Sequence, residues 1–340
     1  MDPILTDRLR LRQFVSADAE VVSAYRSDPA VVEYQDWKLP YPVERAAESI
    51  AKYVEAGGVV PGKGYNLAVE RRDTGALIGD IYIGRHHSFP TAEVGYTFAT
   101  AHQGHGYATE ALNAVIGYLF EELGLMRLDA SLDPRNVASE MLLERVGFLY
   151  EGTKDESFFN DPEWSDDGIY GMRRVDWEAW RSRPRHRPQT VRLVEVSWDN
   201  RRAVAAIETH HSQRRFVTPV LNSLADAMVP PASDGVPAVP WFRAIEADGE
   251  LVGFVMLART TTSWPTTILW RFLISRLHQR RGIGSIVLDQ VCEMLRSEGE
   301  TVMQVHYARG RGTPAPLYLG YGFVPTGEIA GEEIVAELQL

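Results

Sequence analysis

Two short loops carry the residues whose types and spacing best predict chemistry. The first reads QGHGYA over residues 103–108, and the second reads QRRGIG over residues 279–284. Both follow an apolar, strand-like run and precede a long helical pattern. A glycine at the start of a helix lets backbone N–H groups approach an anion, and the helix dipole adds about 0.3–1 kcal/mol. Each loop therefore predicts a bound phosphate group.

The loop sequences also exclude two common phosphate motifs. Neither loop ends in Gly-Lys-Ser/Thr, so neither is a nucleoside-triphosphate P-loop. Neither has the third glycine and the distant acidic residue of a dinucleotide fingerprint. What remains is a pyrophosphate held mainly by backbone amides, with no metal expected. Arg280 and Arg281 could add positive charge in the second loop.

The elements around the two loops follow the same order in both halves of the chain. Each half begins with a strand and helical segments, and continues with a hairpin that turns at Asp73–Gly75 or at Asp248–Gly249. A fourth strand, the glycine-rich loop, a long helix with one apolar face, a strand and a short helix follow. This order predicts an α+β fold built twice, each copy a mixed, mostly antiparallel twisted sheet flanked by helices.

An arginine- and proline-rich segment separates the two copies. Residues 181–188 read RSRPRHRP, a pattern that favours neither a packed helix nor an interior strand. We therefore expect a first domain over residues 1–180, a linker over 181–188 and a second domain over 189–340.

Composition narrows the class of partner. The chain is 45% hydrophobic and 24% charged, with no apolar run long enough to span a bilayer and no secretion signal. A single cysteine, Cys292, fits a reducing cytoplasm, and its helical surroundings favour a packed core thiol. The net charge of −11 argues against nucleic acid as the main partner. Residues 1–180 hold 17 basic and 30 acidic side chains, which either attract a cationic substrate or solubilise the surface.

This arrangement, from the fourth strand through the loop and long helix to a closing Gly-Phe, resembles the GNAT superfamily of N-acetyltransferases, once in each half. The first half resembles the Rim-type branch, which acetylates protein N-termini and various small amines. The segments that carry this likeness are Thr6–Arg12, Glu93–Tyr96, Gln103–Leu112, Asn136–Ser139 and Glu144–Phe148. The second half resembles diamine or spermidine acetyltransferases. Its segments are Gly253–Val255, Trp270–Ile274, Gln279–Gly284 and Leu317–Phe323.

The resemblance implies acetyl-CoA as the cofactor. Its pantetheine is expected along the open edge of the fourth strand, its pyrophosphate on the loops, and its thioester carbonyl near a backbone N–H of that strand. The implied binding residues of the first half are Phe98, Ala99, Thr100, Gln103, Gly104, His105, Gly106, Tyr107, Ala108, Thr109 and Asn136. Those of the second half are Leu273, Ile274, Gln279, Arg280, Arg281, Gly282, Ile283, Gly284 and Ser285.

The family reaction is direct attack of an amine on the thioester, which needs an acid for the leaving thiolate. In the second half the resemblance implies Tyr318, four residues before Gly322. The corresponding residue of the first half is Leu143, which cannot donate a proton, so Ser139 is the implied donor there. Asn136 and Ser139 equally fit a different role, the capping of the short helix.

The base that takes the amine proton is less well defined. Glu93 begins the fourth strand, close to the expected amine. Rim-type enzymes place a carboxylate where this chain has Phe158, and Glu156 lies two residues earlier, on the same face of a regular strand. Either glutamate is also compatible with a plain surface charge. The second half offers no base that the sequence identifies.

The sequence thus predicts an acetyl-CoA-dependent N-acetyltransferase that acts on a primary amine, either a small amine or a protein N-terminus. One alternative is that one half is a catalytically silent CoA-binding or scaffold domain that supports the other. Another is a two-domain synthase that acetylates the amine of a thiol-containing metabolite.

Overall fold

The computed structural model of the chain describes residues 1–160, 163–230, 232–233, 235–259, 261 and 266–340. The chain divides into two compact units, Met1–Arg181 and Ser182–Leu340. Each unit is a mixed, mostly antiparallel sheet with flanking helices, so the predicted α+β class is confirmed. None of the helices in these residues is both long and apolar enough to cross a bilayer.

The sheet of the first unit has eight strands in the order β1-β2-β3-β4-β5-β6-β8-β7. Its strands are β1 (Ile4–Leu5), β2 (Leu9–Gln13), β3 (Gly64–Arg71), β4 (Leu77–Arg85), β5 (Thr91–Phe98), β6 (Arg127–Leu132), β7 (Leu149–Asn160) and β8 (Glu163–Arg173). Its α-helices are α1 (Ala19–Arg26), α2 (Pro29–Val32), α3 (Val43–Ala56), α4 (Tyr107–Gly117), α5 (Val137–Val146) and α6 (Arg174–Ser182). A π-helical turn, Tyr118–Glu122, extends α4.

The main sheet of the second unit has seven strands in the order β16-β17-β15-β14-β13-β12-β9. Its strands are β9 (Val191–Val194), β12 (Val239–Ala247), β13 (Glu250–Arg259), β14 (Thr267–Ile274), β15 (Val302–Ala308), β16 (Val324–Ala330) and β17 (Glu333–Gln339). A two-stranded ribbon is formed by β10 (Ala232–Ser233) and β11 (Val236–Pro237). The α-helices are α7 (Arg201–Ala205), α8 (Val220–Met228), α9 (Ile283–Ser297) and α10 (Ala315–Tyr321).

The long helices α4 and α9 pack on equivalent faces of the two sheets. Their apolar residues recur every three or four positions, which gives each helix one buried stripe. The buried residues are Ala111, Leu112, Val115 and Ile116 in α4, and Ile283, Val287, Leu288, Val291, Cys292 and Leu295 in α9. Cys292 is therefore a core thiol, as its surroundings suggested.

One pair of strands in each unit runs parallel and pairs over only part of its length. In the first unit, β5 pairs with β6 over Thr91–Glu93 and then continues to Phe98 with β4 as its only partner among the described residues. In the second, β14 pairs with β15 over Thr267–Leu269 and then continues to Ile274. Each sheet therefore opens into a wedge on this side, with the backbone of the leading strand facing the gap.

A β-bulge accompanies the opening in the second unit. Met256 of β13 pairs with Arg271, whereas the next residue, Leu257, pairs with Leu269. Trp270 is thus an extra residue in β14, and such insertions increase the local twist of a strand. The bulge lies directly after Leu269, the last residue of β14 that pairs with β15.

The segment between the two repeats is more ordered than its composition suggested. The last helix of the first unit, α6, continues to Ser182, and Trp180 packs against Gly147. Farther along, the carbonyl of His186 accepts a hydrogen bond from Arg281. The alternating arginines and prolines indicate a break in secondary structure, but they do not reveal individual tertiary contacts such as these two.

A buried ionic cluster attaches α1 to the sheet of the first unit. Asp80 of β4 is 1% exposed and accepts hydrogen bonds from Tyr25, from Arg26 at 2.9 Å and from Asn66 at 2.6 Å. The guanidinium of Arg26 also lies over the ring of Trp37, at 4.7 Å from its centroid. These contacts fix α1 and the following segment beside the face of β5 that carries Glu93.

We expect Asp80→Ala to destabilise the first unit strongly, because it leaves the Arg26 guanidinium buried without its counter-ion. The free energy of unfolding should fall by about 3–5 kcal/mol, measured by chemical denaturation.

The matched control is Asp73→Ala, which removes the carboxylate of the exposed Arg71–Asp73 pair. Because solvent screens such pairs, no measurable loss of stability is expected for this variant. Equal losses for the two variants would contradict a structural role for the buried cluster.

Candidate functional site

The two glycine-rich loops adopt the same backbone conformation. Gly104 and Gly106 have φ angles of 77° and 79°, and the corresponding Arg280 and Gly282 have 62° and 76°. Gly106 and Gly282 are the residues immediately before α4 and α9, so each loop ends at a helix N-terminus. A left-handed backbone costs a non-glycine residue about 1–2 kcal/mol, so Arg280 holds this shape under strain.

The glutamine at the start of each loop has a positioning role. Nε2 of Gln103 donates to the carbonyl of Phe98 at 3.0 Å, and Nε2 of Gln279 donates to the carbonyl of Ile274 at 2.9 Å. Each side chain thus ties its loop to the free end of the leading strand. The glutamines therefore help to set the distance between the wedge and the glycine-rich loop.

A cavity of about 330 Å³ fills the wedge of the second unit. The free edge of β14, the loop and the start of α9 form one wall, and α10 forms another. Of the residues predicted to bind the cofactor, this cavity brings together Leu273, Ile274, Gln279, Arg280, Gly282, Ile283, Gly284 and Ser285. Tyr318 of α10 lines the same space.

Arg281, the remaining residue of the predicted set, has a different environment. Its side chain is 2% exposed and is paired with Asp248 at 3.0 Å. It also donates to the carbonyl of His186 at 2.8 Å. The guanidinium is therefore committed to the support of the loop, and the expected charge beside a phosphate is left to Arg280.

Tyr318 lines the cavity from an aromatic setting. The ring packs against Tyr307 and Phe323, at centroid distances of 6.1 and 5.7 Å. Burial and, to a smaller extent, the charge of Glu333 raise the pKa of Tyr318 far above its ordinary value. At neutral pH Tyr318 is therefore a neutral phenol that can donate a proton.

His306 is a cavity residue that sequence reasoning missed. It lies on β15, one residue beyond the last pair with β14. Burial lowers the pKa of His306, although Glu333 opposes the shift. The missed signal was the alternation of β15, in which Met303, Val305 and Tyr307 are buried on one face and His306 faces the other way.

In the first unit the wedge is crossed by a pair of hydroxyl groups. The Tyr96 hydroxyl of β5 lies 2.6 Å from Oγ of Ser139 and donates to the Ser139 carbonyl at 3.1 Å. Burial raises the pKa of Tyr96 far above its ordinary value, and the bond to Ser139 offsets part of the shift. The Asn136 side chain accepts from the Ser139 amide at 3.1 Å, so the helix-capping interpretation holds. Tyr96 had not been predicted as the partner of Ser139.

Glu93 lies at the apex of the same wedge, on the face of β5 opposite Tyr96. It is the last residue paired with β6, where its partner is Asp129. Desolvation by the surrounding protein, followed by the charges of Asp129, Asp167 and Asp36, raises the pKa of Glu93. A carboxylate in these surroundings binds a proton more readily than an isolated one.

Glu156 lacks the geometric support that a regular strand would give it. Lys154 pairs with Asp167 and Phe158 with Ser165, so four steps along β7 match two along β8. Glu156 lies in this bulge with a φ of 45°. The expected shared face with Phe158 therefore does not apply, because strict alternation is lost in a bulge.

The other residues predicted for the cofactor in the first unit surround the loop. Thr100 donates to Asp28 at 2.6 Å, Nδ1 of His105 lies 2.7 Å from the Gln103 carbonyl, and the rings of His105 and Tyr107 stack at 5.8 Å. The rest of this set runs from the end of β5 into the first turn of α4. It consists of Phe98, Ala99, Gly104, Gly106, Ala108 and Thr109.

Comparison with known proteins identifies the class. Residues 8–149 match the acetyltransferase (GNAT) domain, and residues 204–321 match the acetyltransferase (GNAT) family. The chain belongs to the GNAT family of acetyltransferases, with two such domains in tandem.

Similar proteins are named as N-acetyltransferases. The uncharacterised N-acetyltransferase YoaA of Bacillus subtilis is 35% identical over 176 residues, which cover 51% of this chain and 97% of YoaA. The [ribosomal protein uS5]-alanine N-acetyltransferase of Escherichia coli is 33% identical over 94 residues, 28% of this chain and 48% of that enzyme. A GNAT-family acetyltransferase structure from Bacillus anthracis is 28% identical and covers 50% of this chain and 98% of its own, with a TM-score of 0.46. The chain is thus an N-acetyltransferase.

The neighbouring arginines of the second loop should respond differently to truncation. Arg281→Ala should lower the Tm of the second unit by about 4 °C or more, because it breaks the buried contacts to Asp248 and His186. Arg280→Ala should leave the Tm unchanged, because alanine keeps the left-handed strain, and weaken acetyl-CoA binding about tenfold, the value of one charge-assisted hydrogen bond.

Calorimetry of unfolding and titration with acetyl-CoA measure the two effects separately. Arg280→Gly is the matched variant, because it removes the same charge and also relieves the left-handed strain. An Arg281→Ala protein of unchanged Tm would contradict the supporting role of that side chain.

Proposed function

We propose that both units bind acetyl-CoA and transfer its acetyl group to the primary amine of a small molecule or a protein N-terminus. The observation that carries the proposal is the repeated association of a strand wedge, a glycine-rich loop and a helix N-terminus. The wedge leaves backbone donors of β5 and β14 beside the gap, and the loops present amide groups for a pyrophosphate.

The residues present fit this cofactor. A methyl group added at Gly282 would meet no atom within 4 Å, so there is open space for an anion above the first turn of α9. The cavity continues from this point along the free edge of β14 to Tyr318. Bound acetyl-CoA would supply an activated acetyl thioester.

In the first unit, the group that accepts a proton and the group that donates one would lie on opposite faces of β5. Glu93, through a water molecule, would take the proton of the attacking amine. On the opposite face, the Ser139 hydroxyl would give its proton to the leaving sulfur and take one from the Tyr96 hydroxyl, 2.6 Å away. Tyr96 and Glu93 would then return to their starting forms by proton exchange with solvent. A backbone N–H of β5 would polarise the thioester carbonyl.

The acidic surroundings of Glu93 bear on the acceptor of the first unit. Asp36, Asp129 and Asp167 lie close enough to raise its pKa. Their charges would favour an acceptor with additional positive charge, such as a basic peptide. The E. coli relative named for ribosomal protein uS5 supports testing peptide N-termini first.

The cofactor proposal is tested by loop variants in the full-length chain. Titration calorimetry of the parent protein with acetyl-CoA should give two sites per chain. Gly106→Val and Gly282→Val should each remove one site, because a β-branched side chain at these φ angles strains the loop and covers its amides.

Gly124→Val and Gly299→Val are the matched controls. Both glycines have left-handed φ angles and open surroundings, but they lie outside the loops. Two sites should remain in both controls. A parent protein with one site would favour the alternative that one unit is catalytically silent, and a parent protein with none would refute the cofactor assignment.

The acid–base assignment of the first unit predicts a pH dependence. Because the carboxylate is the active base, kcat/KM should rise with pH through an apparent pKa above the ordinary glutamate value of 4.5. Glu93→Gln should abolish this rise and lower kcat/KM about 100-fold. Tyr96→Phe should reduce kcat while the Kd for acetyl-CoA stays the same.

These profiles require a peptide acceptor and a coupled assay of free CoA. Glu156→Gln is the matched carboxylate control, and it should retain the rise. If Glu93→Gln keeps the parent profile and Glu156→Gln loses it, the base is assigned to the wrong glutamate.

A further inference from the structure

His306 lies at the opening of the second wedge, as Glu93 does at that of the first. Glu93 is the last residue of β5 that pairs with β6, whereas His306 is on β15, the partner of the leading strand, one residue beyond its last pair with β14. Glu93 lies on the face of β5 opposite Tyr96, which contacts the proposed acid Ser139. His306 likewise lies on the face of β15 opposite Tyr307, whose ring packs against the proposed acid Tyr318. The cavity connects the two faces, because both His306 and Tyr318 line it.

We propose that His306 is the catalytic base of the second unit, and that its substrate is a weakly basic amine with an apolar body. This inference rests on the proposed acetyl transfer and names its base and its class of acceptor.

Aromatic and aliphatic side chains form part of the cavity wall, beside polar ones. Phe216 and Val217, from the segment before α8, line it together with Trp270, the bulged residue of β14. Thr209 and Gln213 supply uncharged hydrogen-bonding groups. This lining suits an aromatic or branched aliphatic body with one polar end.

The charged and titratable groups around His306 come from three directions. Glu333 approaches from β17, Tyr318 from α10, and His278 and Arg280 from the loop that lines the same cavity. Of these, the charge of Glu333 raises the pKa of His306, but burial has the larger, opposite effect. His306 is therefore an unprotonated imidazole at neutral pH.

The basicity of the amine then decides how readily His306 can act. An α-amino group has a pKa of about 7.7–8.0 and a lysine-type amine about 10.4, against a reference of about 6.5 for histidine. Transfer of a proton from the ammonium form to the imidazole, which yields the neutral amine that attacks, is unfavourable by about 15- to 30-fold for the first and by about 10⁴-fold for the second, and a lowered histidine pKa adds to both. The site thus favours amines of the α-amino type.

The proposed step conserves protons and electrons. The neutral amine, whose ammonium proton has already passed by way of His306 to solvent, forms the new C–N bond as the C–S bond breaks; the nitrogen then loses one proton to His306, and Tyr318 gives its proton to the sulfur. The imidazolium and the phenolate then return to their starting forms by exchange with solvent.

The test uses two acceptors that share a phenylethyl body but differ in basicity, phenylalanine amide and 2-phenylethylamine. The full-length chain carries Tyr96→Phe and Ser139→Ala, so that the first unit contributes little. We expect kcat/KM to be at least about 30-fold higher for phenylalanine amide. Its pH profile should have an ascending limb below pH 6.5, because only neutral His306 accepts a proton.

His306→Gln in the same background should lower kcat about 100-fold, abolish that limb and leave the Kd for acetyl-CoA unchanged. Added imidazole should restore part of the rate, which a purely structural role of His306 would not allow. The matched control is His87→Gln, which changes an exposed residue of the first unit. Its rate and pH profile should equal those of the parent.

The results separate this inference from the cofactor proposal. If acetyl-CoA binds at the second loop but neither amine is acetylated, or if 2-phenylethylamine is preferred, the inference is wrong while the cofactor site stands. A His306→Gln protein with the parent rate and pH profile would also overturn it. Failure of acetyl-CoA to bind would instead refute the proposed function.

Discussion

The separation of two parallel strands is the constraint on which the rest of each unit depends. A parallel pair that stayed hydrogen-bonded over its full length would leave no gap in the sheet, and the two faces could not communicate. Because pairing stops after Glu93 in one unit and after Leu269 in the other, each sheet has an opening edged by backbone donors. Groups that give and accept protons can then lie on opposite faces and still reach one reacting centre.

The two units keep this constraint and differ in the side chains around it. Tyr96 and Ser139 occupy the wedge of the first unit, whereas Phe272 and Tyr318 line that of the second. Several carboxylates surround the apex of the first wedge, and aromatic residues surround the second. The two units thus share the backbone geometry of the wedge and the loop, while the side chains around it differ.

Much of the fold was predictable from the sequence because it follows from local patterns. Apolar periodicity identified α4 and α9, Asp-Gly turns identified the hairpins, and the loop glycines indicated the helix starts. The candidate site was only partly predictable, because its pairs join residues far apart in the chain. Tyr96 meets Ser139 through tertiary packing, and His306 reaches the cavity only because β14 leaves β15.

Two sequence-based arguments, for Glu156 and for Arg281, changed for a common physical reason. Regular alternation placed Glu156 on the face of Phe158, but a bulge in β7 removes that relation. Charge alone suggested Arg281 as a phosphate ligand, but burial beside Asp248 gives it a counter-ion within the protein. Residue type and spacing describe what a side chain can do, whereas burial and register decide which partner it meets.

The contacts of Asp248 bear on how the chain can be divided. One carboxylate oxygen accepts from the amides of Gln189 and Thr190, and the other accepts from Arg281 beside the second loop. The carbonyl of His186 completes the hydrogen bonds of that arginine. A second domain produced on its own from residue 189 would lack this carbonyl, although composition marks residue 189 as the natural boundary. Residues of the apparent spacer therefore belong to the folding unit that follows them.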